Sequence, residues 1–426
     1  MELTAAKYKQ TEVGLIPEDW DLVPLGKVFS FHSTSNYSKA QMSENDEVGC
    51  IHYGLIHAIP STQYNLTNGI KYYVTLDQAK YDFVHDGDVI MVDASEDLEG
   101  INKSVEVFGV GNHKFISGLH TYLLRDKNGS LADNFRGILL NSRLIKNQML
   151  QLAVGMKVFG VSKTQLVKIK LPLPPTLTEQ KAIAQVLSDT DALIQALEKK
   201  IVKKKSIKKG VMQKLLEPKE GWEETSLVEL AEFKKNRFDD GDWIESEHII
   251  SKGVRLIQTG NIGIGGFQDK ENKKYISEES FNQLNCKEVL VGDLLVCRLA
   301  EPAGRACVMP HIGESKVITS VDVSIFRGDA DRVNREFLSQ LFTTNNWFQQ
   351  VMEMVGGTTH KRISRGALGK IKISVPAIEE QNRIAQTLLT MDKEVQSLEQ
   401  KLSKYQLAKQ GLMQQLLTGR IRLVTP

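Results

Sequence analysis

The sequence predicts an α+β fold built twice: two globular domains in a pseudo-twofold arrangement, separated by a long antiparallel two-helix coiled coil. Three observations predict it. Pro175-Thr-Leu-Thr-Glu179-Gln180-Lys-Ala-Ile183-Ala184-Gln185 recurs 201 residues later as Pro376-Ala-Ile-Glu-Glu380-Gln381-Asn-Arg-Ile384-Ala385-Gln386. The match continues without a gap to Gly210-Val-Met212-Gln213-Lys-Leu215-Leu216 and Gly411-Leu-Met413-Gln414-Gln-Leu416-Leu417. A self-match at so long a period means two copies of a whole unit. Each copy ends in a proline-marked segment with heptad spacing. Ahead of it, short apolar runs mix with helical spacings, without the regular strand–helix alternation of an α/β protein.

The elements follow from local pattern. Residues 1–173 read as a first domain with an N-terminal arm, 174–218 as a central helix, 219–375 as a second domain, and 376–426 as a C-terminal helix and tail. Val89-Ile90-Met91-Val92 and Tyr122-Leu123-Leu124 read as strands, as do Val289 to Arg298 and Val321 to Phe326. Phe135 to Leu152 and its counterpart Asn334 to Val351 have helical spacing. Anchors repeat outside the helices too: Glu18-Asp-Trp20 matches Glu220-Gly-Trp222, Asp86-Gly87-Asp88 matches Val291-Gly292-Asp293, and Lys168-Ile169-Lys170 matches Lys370-Ile371-Lys372. Between the anchors the two domains share little. A common scaffold with different loops suits two domains with one job and two targets; drift after an old duplication gives the same pattern.

Proline lacks an N–H and fixes φ, so it suits the first turn of a helix. Glu179 and Glu380 fall in that turn, where the helix dipole favours negative charge. Beyond it Ile183, Leu187, Thr190, Ile194, Leu197 and Ile201 step by threes and fours, as do Ile384, Leu388, Met391, Val395, Leu398, Leu402 and Tyr405. A helix of about 40 residues is about 60 Å long. One such seam needs a partner, and the second copy within the chain supplies it in antiparallel sense.

Composition excludes several classes. Among 426 residues, 41% are hydrophobic and 25% charged, ordinary values for a globular chain, and the net charge of +2 does not announce nucleic acid. Positive charge gathers instead at Lys199, Lys200, Lys203, Lys204, Lys205, Lys208 and Lys209, either a solvated helix face or a stripe that follows phosphates. The four cysteines show neither paired nor zinc-like spacing. No signal core or membrane-length apolar run is visible, so a cytoplasmic chain is expected. P-loop and nucleophile-elbow motifs are missing, and Gly260-Asn-Ile-Gly263-Ile-Gly265-Gly266 has the wrong order for a dinucleotide fingerprint. Asp93, Glu96, Asp97 and Glu99 form an acidic loop that reads as an exposed polar segment, with Mg²⁺ as the sharper alternative.

Tyr8-Lys-Gln-Thr-Glu-Val-Gly-Leu-Ile-Pro17-Glu-Asp-Trp20, the two Pro-x-x-x-Glu-Gln helix starts, and Gly292-Asp293-Leu-Leu-Val-Cys-Arg298-Leu-Ala-Glu-Pro-Ala-Gly-Arg305 together resemble the specificity subunit of type I restriction–modification enzymes. The resemblance spans nearly the whole chain. It implies a non-catalytic subunit whose two target recognition domains each read part of an asymmetric, bipartite site on double-stranded DNA. It also implies that the helices set the gap and bind two methyltransferase subunits, through which restriction–translocase subunits join. No cofactor is then bound directly; S-adenosylmethionine belongs to the methyltransferases.

Side-chain chemistry suggests which residues touch DNA. Arginine reads guanine, and Asn or Gln reads adenine, through paired hydrogen bonds; Lys, hydroxyls and backbone N–H groups hold phosphates. In the second domain these are Arg298 and Arg305, then Gln258 and Asn261, with Thr358, Thr359, Lys361 and Arg362 on one loop. In the first they are Lys103, Tyr53, His57 and, on the counterpart loop, Lys157. Arginines that merely pair with a carboxylate such as Glu301 remain the competing reading. Two other functions stay open: an adaptor with two protein-binding heads, and an enzyme using the acidic loop.

Overall fold

The computed structural model describes residues 7–95, 97–98, 100–153, 159–357 and 361–423. The chain divides into two compact units, Met1–Lys199 with Gln400–Pro426, and Lys200–Glu399. The heptad segments are two helices of 40 residues, α1 (Leu177–Leu216) and α2 (Ile378–Leu417). The division falls within both helices, so each unit owns a stretch of each. The four-segment division expected from sequence treats them as separate pieces; in the structure their apolar ends are part of the globular cores.

The first unit contains β1 (Phe29–His32), β2 (Val48–Ile51), β3 (Gln63–Asn65), β4 (Tyr73–Val74), β5 (Val89–Val92), β6 (Ser104–Phe108), β7 (Lys114–Ser117) and β8 (Thr121–Asp126). A five-stranded sheet runs β1-β8-β5-β6-β3, and a three-stranded sheet runs β7-β2-β4 with β7 and β2 parallel. Strand β5 is buried on both faces, which is why it reads as an unbroken apolar run. Val89 and Met91 pack with Leu124, Phe135 and the helix residues Ile183, Leu187, Leu416 and Leu417. Ile90 and Val92 face the opposite core with Val105, Val107 and Phe115.

The second unit repeats this plan with β9 (Phe238–Asp240), β10 (Val254–Ile257), β11 (Lys274–Ile276), β12 (Leu294–Cys297), β13 (Ala306–Val308), β14 (Val317–Thr319) and β15 (Val323–Phe326). Its sheets run β9-β15-β12-β13 and β11-β10-β14, and the three-stranded sheet again has a parallel pair, β10 and β14. Leu294 and Val296 face a core that includes Leu216, Ile384 and Leu388, while Leu295 and Cys297 face the other. All four cysteines are free and buried, and burial pushes the Cys307 thiol up to about 12.

The repeated anchors are internal clamps. Arg125 donates to both oxygens of buried Asp88 at 2.8 and 2.7 Å, and Arg327 does the same to buried Asp293 at 2.8 and 2.7 Å. Each aspartate also accepts from the turn before it, from the His85 and Leu290 amides at 2.7 Å. Gly87 and Gly292 have φ of +84° and +88°, a conformation that favours glycine, which accounts for the repeated Gly-Asp.

The helix roots are held by glutamine. Gln180 accepts from the Ala132 amide at 2.9 Å and donates to the Pro174 carbonyl at 3.2 Å. Gln381 accepts from the Asn334 amide at 2.9 Å and donates to the Arg332 and Pro376 carbonyls at 3.1 and 2.8 Å. Both are buried. Each thus ties the first turn of a long helix to the segment that leads into its own unit's helical layer. In the first unit buried Glu179 is also bound by Arg422 of the tail, which reaches Asp19 at 2.9 and 3.0 Å and lies over the Trp20 ring.

Within each unit α1 and α2 contact one another in antiparallel sense. In the first, Asp191 pairs with Lys409 at 2.5 Å, while Ile183 shares a core with Leu416. In the second, Lys204 pairs with Glu394 at 2.6 Å and Lys208 with Asp392 at 2.5 Å, while Leu216 shares a core with Ile384. Part of the lysine run therefore serves ion pairing between helices. Of the seam positions, Ile183, Leu187, Ile194, Leu197, Ile201, Ile384, Leu388 and Val395 are buried, and Met391, Leu398, Leu402 and Tyr405 are half-buried. No helix among the described residues is long and apolar enough to cross a membrane.

Replacing Gln381 by Leu keeps the volume but leaves the Asn334 amide and the Pro376 carbonyl unpaired. Denaturant unfolding should show a loss of about 1–3 kcal/mol. Wild-type stability in Gln381→Leu would mean that the glutamine does not hold the helix root.

Candidate nucleic-acid interface

The central strands β5 and β12 end at Val92 and Cys297, and the next residues, Asp93 and Arg298, occupy the same place in the two units. The Asp93 amide donates to the His120 carbonyl at 3.2 Å, and the Arg298 amide to the Asp322 carbonyl at 2.8 Å. A returning segment then pairs alongside: Gly160 with Ala94 and Phe159 with Ser95 in the first unit, and Arg362 with Leu299 in the second. The described ends of the two loops singled out by their chemistry, 159–162 and 361–364, thus return beside equivalent corners. Lys157, Thr358 and Thr359 lie outside the described residues, as do Glu96 and Glu99.

In the second unit the corner is cationic, but its best sequence candidates are structural. Arg298 is only 2% exposed. Its Nε lies 3.0 Å from Asp240 Oδ1, and its terminal nitrogens donate to the Ile363 and Val321 carbonyls at 3.2 and 2.5 Å. Burial lowers its pKa, and the Asp240 charge opposes that. Arg305 donates to the carbonyls of Ile262, Leu299, Pro302 and Thr259 at 2.7–3.0 Å, tying together two loop segments. Asn261 is buried, accepting from the Gln258 amide at 3.0 Å and donating to the Gln268 carbonyl at 2.8 Å. Arg298, Arg305 and Asn261, expected from sequence to read bases, thus each hold internal partners as well. Gln258 is half-buried beside them. Lys361 is exposed, and Arg362, with 42% of its side chain exposed, reaches Asp322 at 3.0 Å. These two are the cations presented outward.

In the first unit Tyr53 and His57, far from the acidic loop in sequence, meet it in space. Tyr53 opens the short helix Tyr53–Ala58 and is exposed, as is His57. Its ring stands edge-on to His57 and to His120, with centroids 6.3 and 5.5 Å apart. Behind it His52 is buried; its Nδ1 accepts from the Gly54 amide at 3.0 Å, and burial lowers its pKa. His120 Nδ1 lies 3.3 Å from Asp93 Oδ1. Burial raises the Asp93 pKa, against the pull of His120. Lys103, also expected at the DNA, is half-buried, and burial lowers its pKa, with the Lys409 charge adding to that and the Asp191 charge opposing it.

His120 escaped the sequence reading because nothing local marks it; only the pairing of β5 with β8 brings it to Asp93. Asp97 accepts from the Gly100 amide at 2.6 Å, as an ordinary turn residue does. Among the described residues no group of acidic, His and Cys side chains is arranged to hold a metal ion.

Comparison with known proteins agrees with this doubled plan. A family profile described as type I restriction modification DNA specificity domain matches twice, over residues 17–206 and 219–405. The chain is 25% identical over 438 aligned residues to the type I restriction enzyme MjaVIII specificity subunit of Methanocaldococcus jannaschii, covering 98% of this chain and 96% of that one. It is 27% identical to the putative MjaX specificity subunit of the same organism, covering 98% and 97%. Among solved structures, the type I restriction–modification S subunit from M. genitalium superposes with a TM-score of 0.55 at 15% identity, covering 97% of this chain and 99% of that one. The two profile matches together take in most of the chain, which therefore belongs to the family of type I restriction–modification DNA specificity subunits, whose members are non-catalytic.

Proposed function

We propose that the chain reads an asymmetric, two-part site on double-stranded DNA, one part with each unit. In this reading it recruits two adenine methyltransferase subunits, and through them the restriction–translocase subunits. The observation that supports it best is one framework carrying opposite chemistry at equivalent corners: Asp93 with His120 in the first unit, and Arg298 with Asp322 beside exposed Lys361 and Arg362 in the second. Two readers of one plan with different side chains suit two unlike half-sites. A second solved structure of similar fold, with a TM-score of 0.55, comes from work on complex assembly of the type I system, in keeping with partner subunits.

In this function α1 and α2 act together as an antiparallel coiled coil that separates two target recognition domains and fixes the gap between half-sites. Tyr53, His57, Lys361 and Arg362 meet the DNA, joined by the loops that hold Lys157, Thr358 and Thr359. S-adenosylmethionine resides in the methyltransferase partners, and the target adenine enters their pocket after flipping out of the duplex. The complex works in the cytoplasm.

DNA affinity of the full chain should fall steeply with salt, whereas an adaptor for proteins would show no such dependence. Lys361→Ala should weaken binding to all sequences alike and reduce the salt slope by about one unit. Arg298→Ala, by contrast, should lower stability by about 3 kcal/mol, because it strips Asp240 of its buried partner. A folded Arg298→Ala chain of wild-type melting temperature that loses one base preference would instead restore this arginine as a reader.

Deleting seven residues from both long helices should shorten the spacer by about 10 Å. Sequencing of methylated adenines should then give unchanged half-sites with a smaller gap. An unchanged gap in an active, folded variant would contradict the spacer role.

A further inference from the structure

Asp88 and Asp93 lie five residues apart around one strand, and the fold treats them differently. Asp88 is 1% exposed and gripped through both oxygens by Arg125. Asp93 has an imidazole for a partner. Its Oδ1 is shut away from solvent with no geometrically sound hydrogen bond, His120 Nδ1 standing 3.3 Å away, yet 29% of the side chain remains exposed. The open part is the rest of the side chain, whose Oδ2 takes no hydrogen bond among the described residues and is an acceptor with unused capacity. At the equivalent position of the second unit, Arg298 is buried beside Asp240 and donates to two carbonyls.

His120 has a φ of +57°, the left-handed region in which His, like Asn and Asp, is enriched over other side chains. Half of the His120 side chain is exposed, and its ring meets the edge of Tyr53, which also meets His57. A glycine at 100 keeps the neighbouring loop close: a Cβ there would lie 2.8 Å from the His57 ring and 2.2 Å from Ser95 Oγ. The result is an open carboxylate acceptor ringed by one phenol and two imidazoles.

Resting on the DNA-reading function above, we propose that this corner is the base-reading site of the first unit, in which Asp93 accepts a hydrogen bond from an exocyclic amino group in the major groove. That group is cytosine N4 or adenine N6. His120 is a positioning residue that fixes the carboxylate through Oδ1. Tyr53 and His57 frame the base edge and offer donors to its surroundings. Tyr122, the other ionisable group beside Asp93, commits its hydroxyl to the Val161 carbonyl at 3.1 Å. The loop of Asp93, read from sequence as a polar turn, thus gains a role through one member rather than as an acidic cluster.

The test uses the full chain assembled with its methyltransferase partners and a library of duplexes randomised at both half-sites. Asp93→Asn is isosteric and turns an acceptor-only group into one that also donates. It should lower discrimination at one base pair of one half-site by about 5- to 150-fold, with the other half-site read as sharply as before. The wild-type preference at that pair, C·G or A·T, distinguishes cytosine from adenine. His120→Asn keeps a residue suited to the left-handed backbone and removes the ring; it should relax the same base pair to a smaller extent, with melting temperature unchanged. If Asp93→Asn does not fold, His120→Asn decides alone, because half of its side chain is exposed and Asn suits the left-handed backbone. Wild-type preference at every position in the folded variants would overturn the proposal. If the wild-type complex itself shows no two-part preference, the DNA-reading function fails, an outcome separate from failure of this corner.

Discussion

A buried glutamine at the root of each long helix is the constraint on which the rest of the structure depends. A 40-residue helix with a narrow apolar seam has little reason to leave a globular unit in a defined direction. Gln180 and Gln381 supply that reason: each side chain accepts from one backbone amide of its unit and donates to the carbonyl of the proline just before the helix. An amide side chain can do both at once, which neither Glu nor Leu can. The direction of each helix is thereby fixed by hydrogen bonds, and the seam has only to supply contact area.

The same economy governs the globular parts. The clamps Asp88–Arg125 and Asp293–Arg327 hold the turn before the central strand and the strand beside it. With that framework fixed, the residue that follows the central strand is free to vary. It is an acid in one unit and a guanidinium in the other, and each has a partner from a different element, His120 from the turn before β8 and Asp240 from the edge strand β9. A shared frame with different side chains at the end of its central strand is suited to changing what is read without changing how the reader is built.

Much of the fold was legible in the sequence because it rests on periodic or repeated features. The 201-residue repeat, the proline-marked helix starts and the Gly-Asp turns all correspond to elements with a local physical cause. The role of Gln180 and Gln381 was not legible, although both stood in the repeated motif, because their partners lie about 50 residues away in sequence. The candidate site was less legible still. Arg298 and Lys361 are both cations near one corner, and only burial separates the arginine that holds loops together from the lysine that faces solvent. Lys103 follows the acidic loop directly, yet it is half-buried, which sequence does not reveal. Tyr53 and His57 were chosen for their chemistry alone; strand pairing adds Asp93 and His120 to them.

The central claim is that each unit reads its own half of the site on a shared frame. Exchange of residues 18–170, the globular part of the first unit, for the matching segment of another family member tests it most directly, with the methylated motif read by sequencing of modified adenines. The account predicts one new half-site, one unchanged half-site and an unchanged gap. A folded, partner-bound chimera in which both half-sites change together would contradict it.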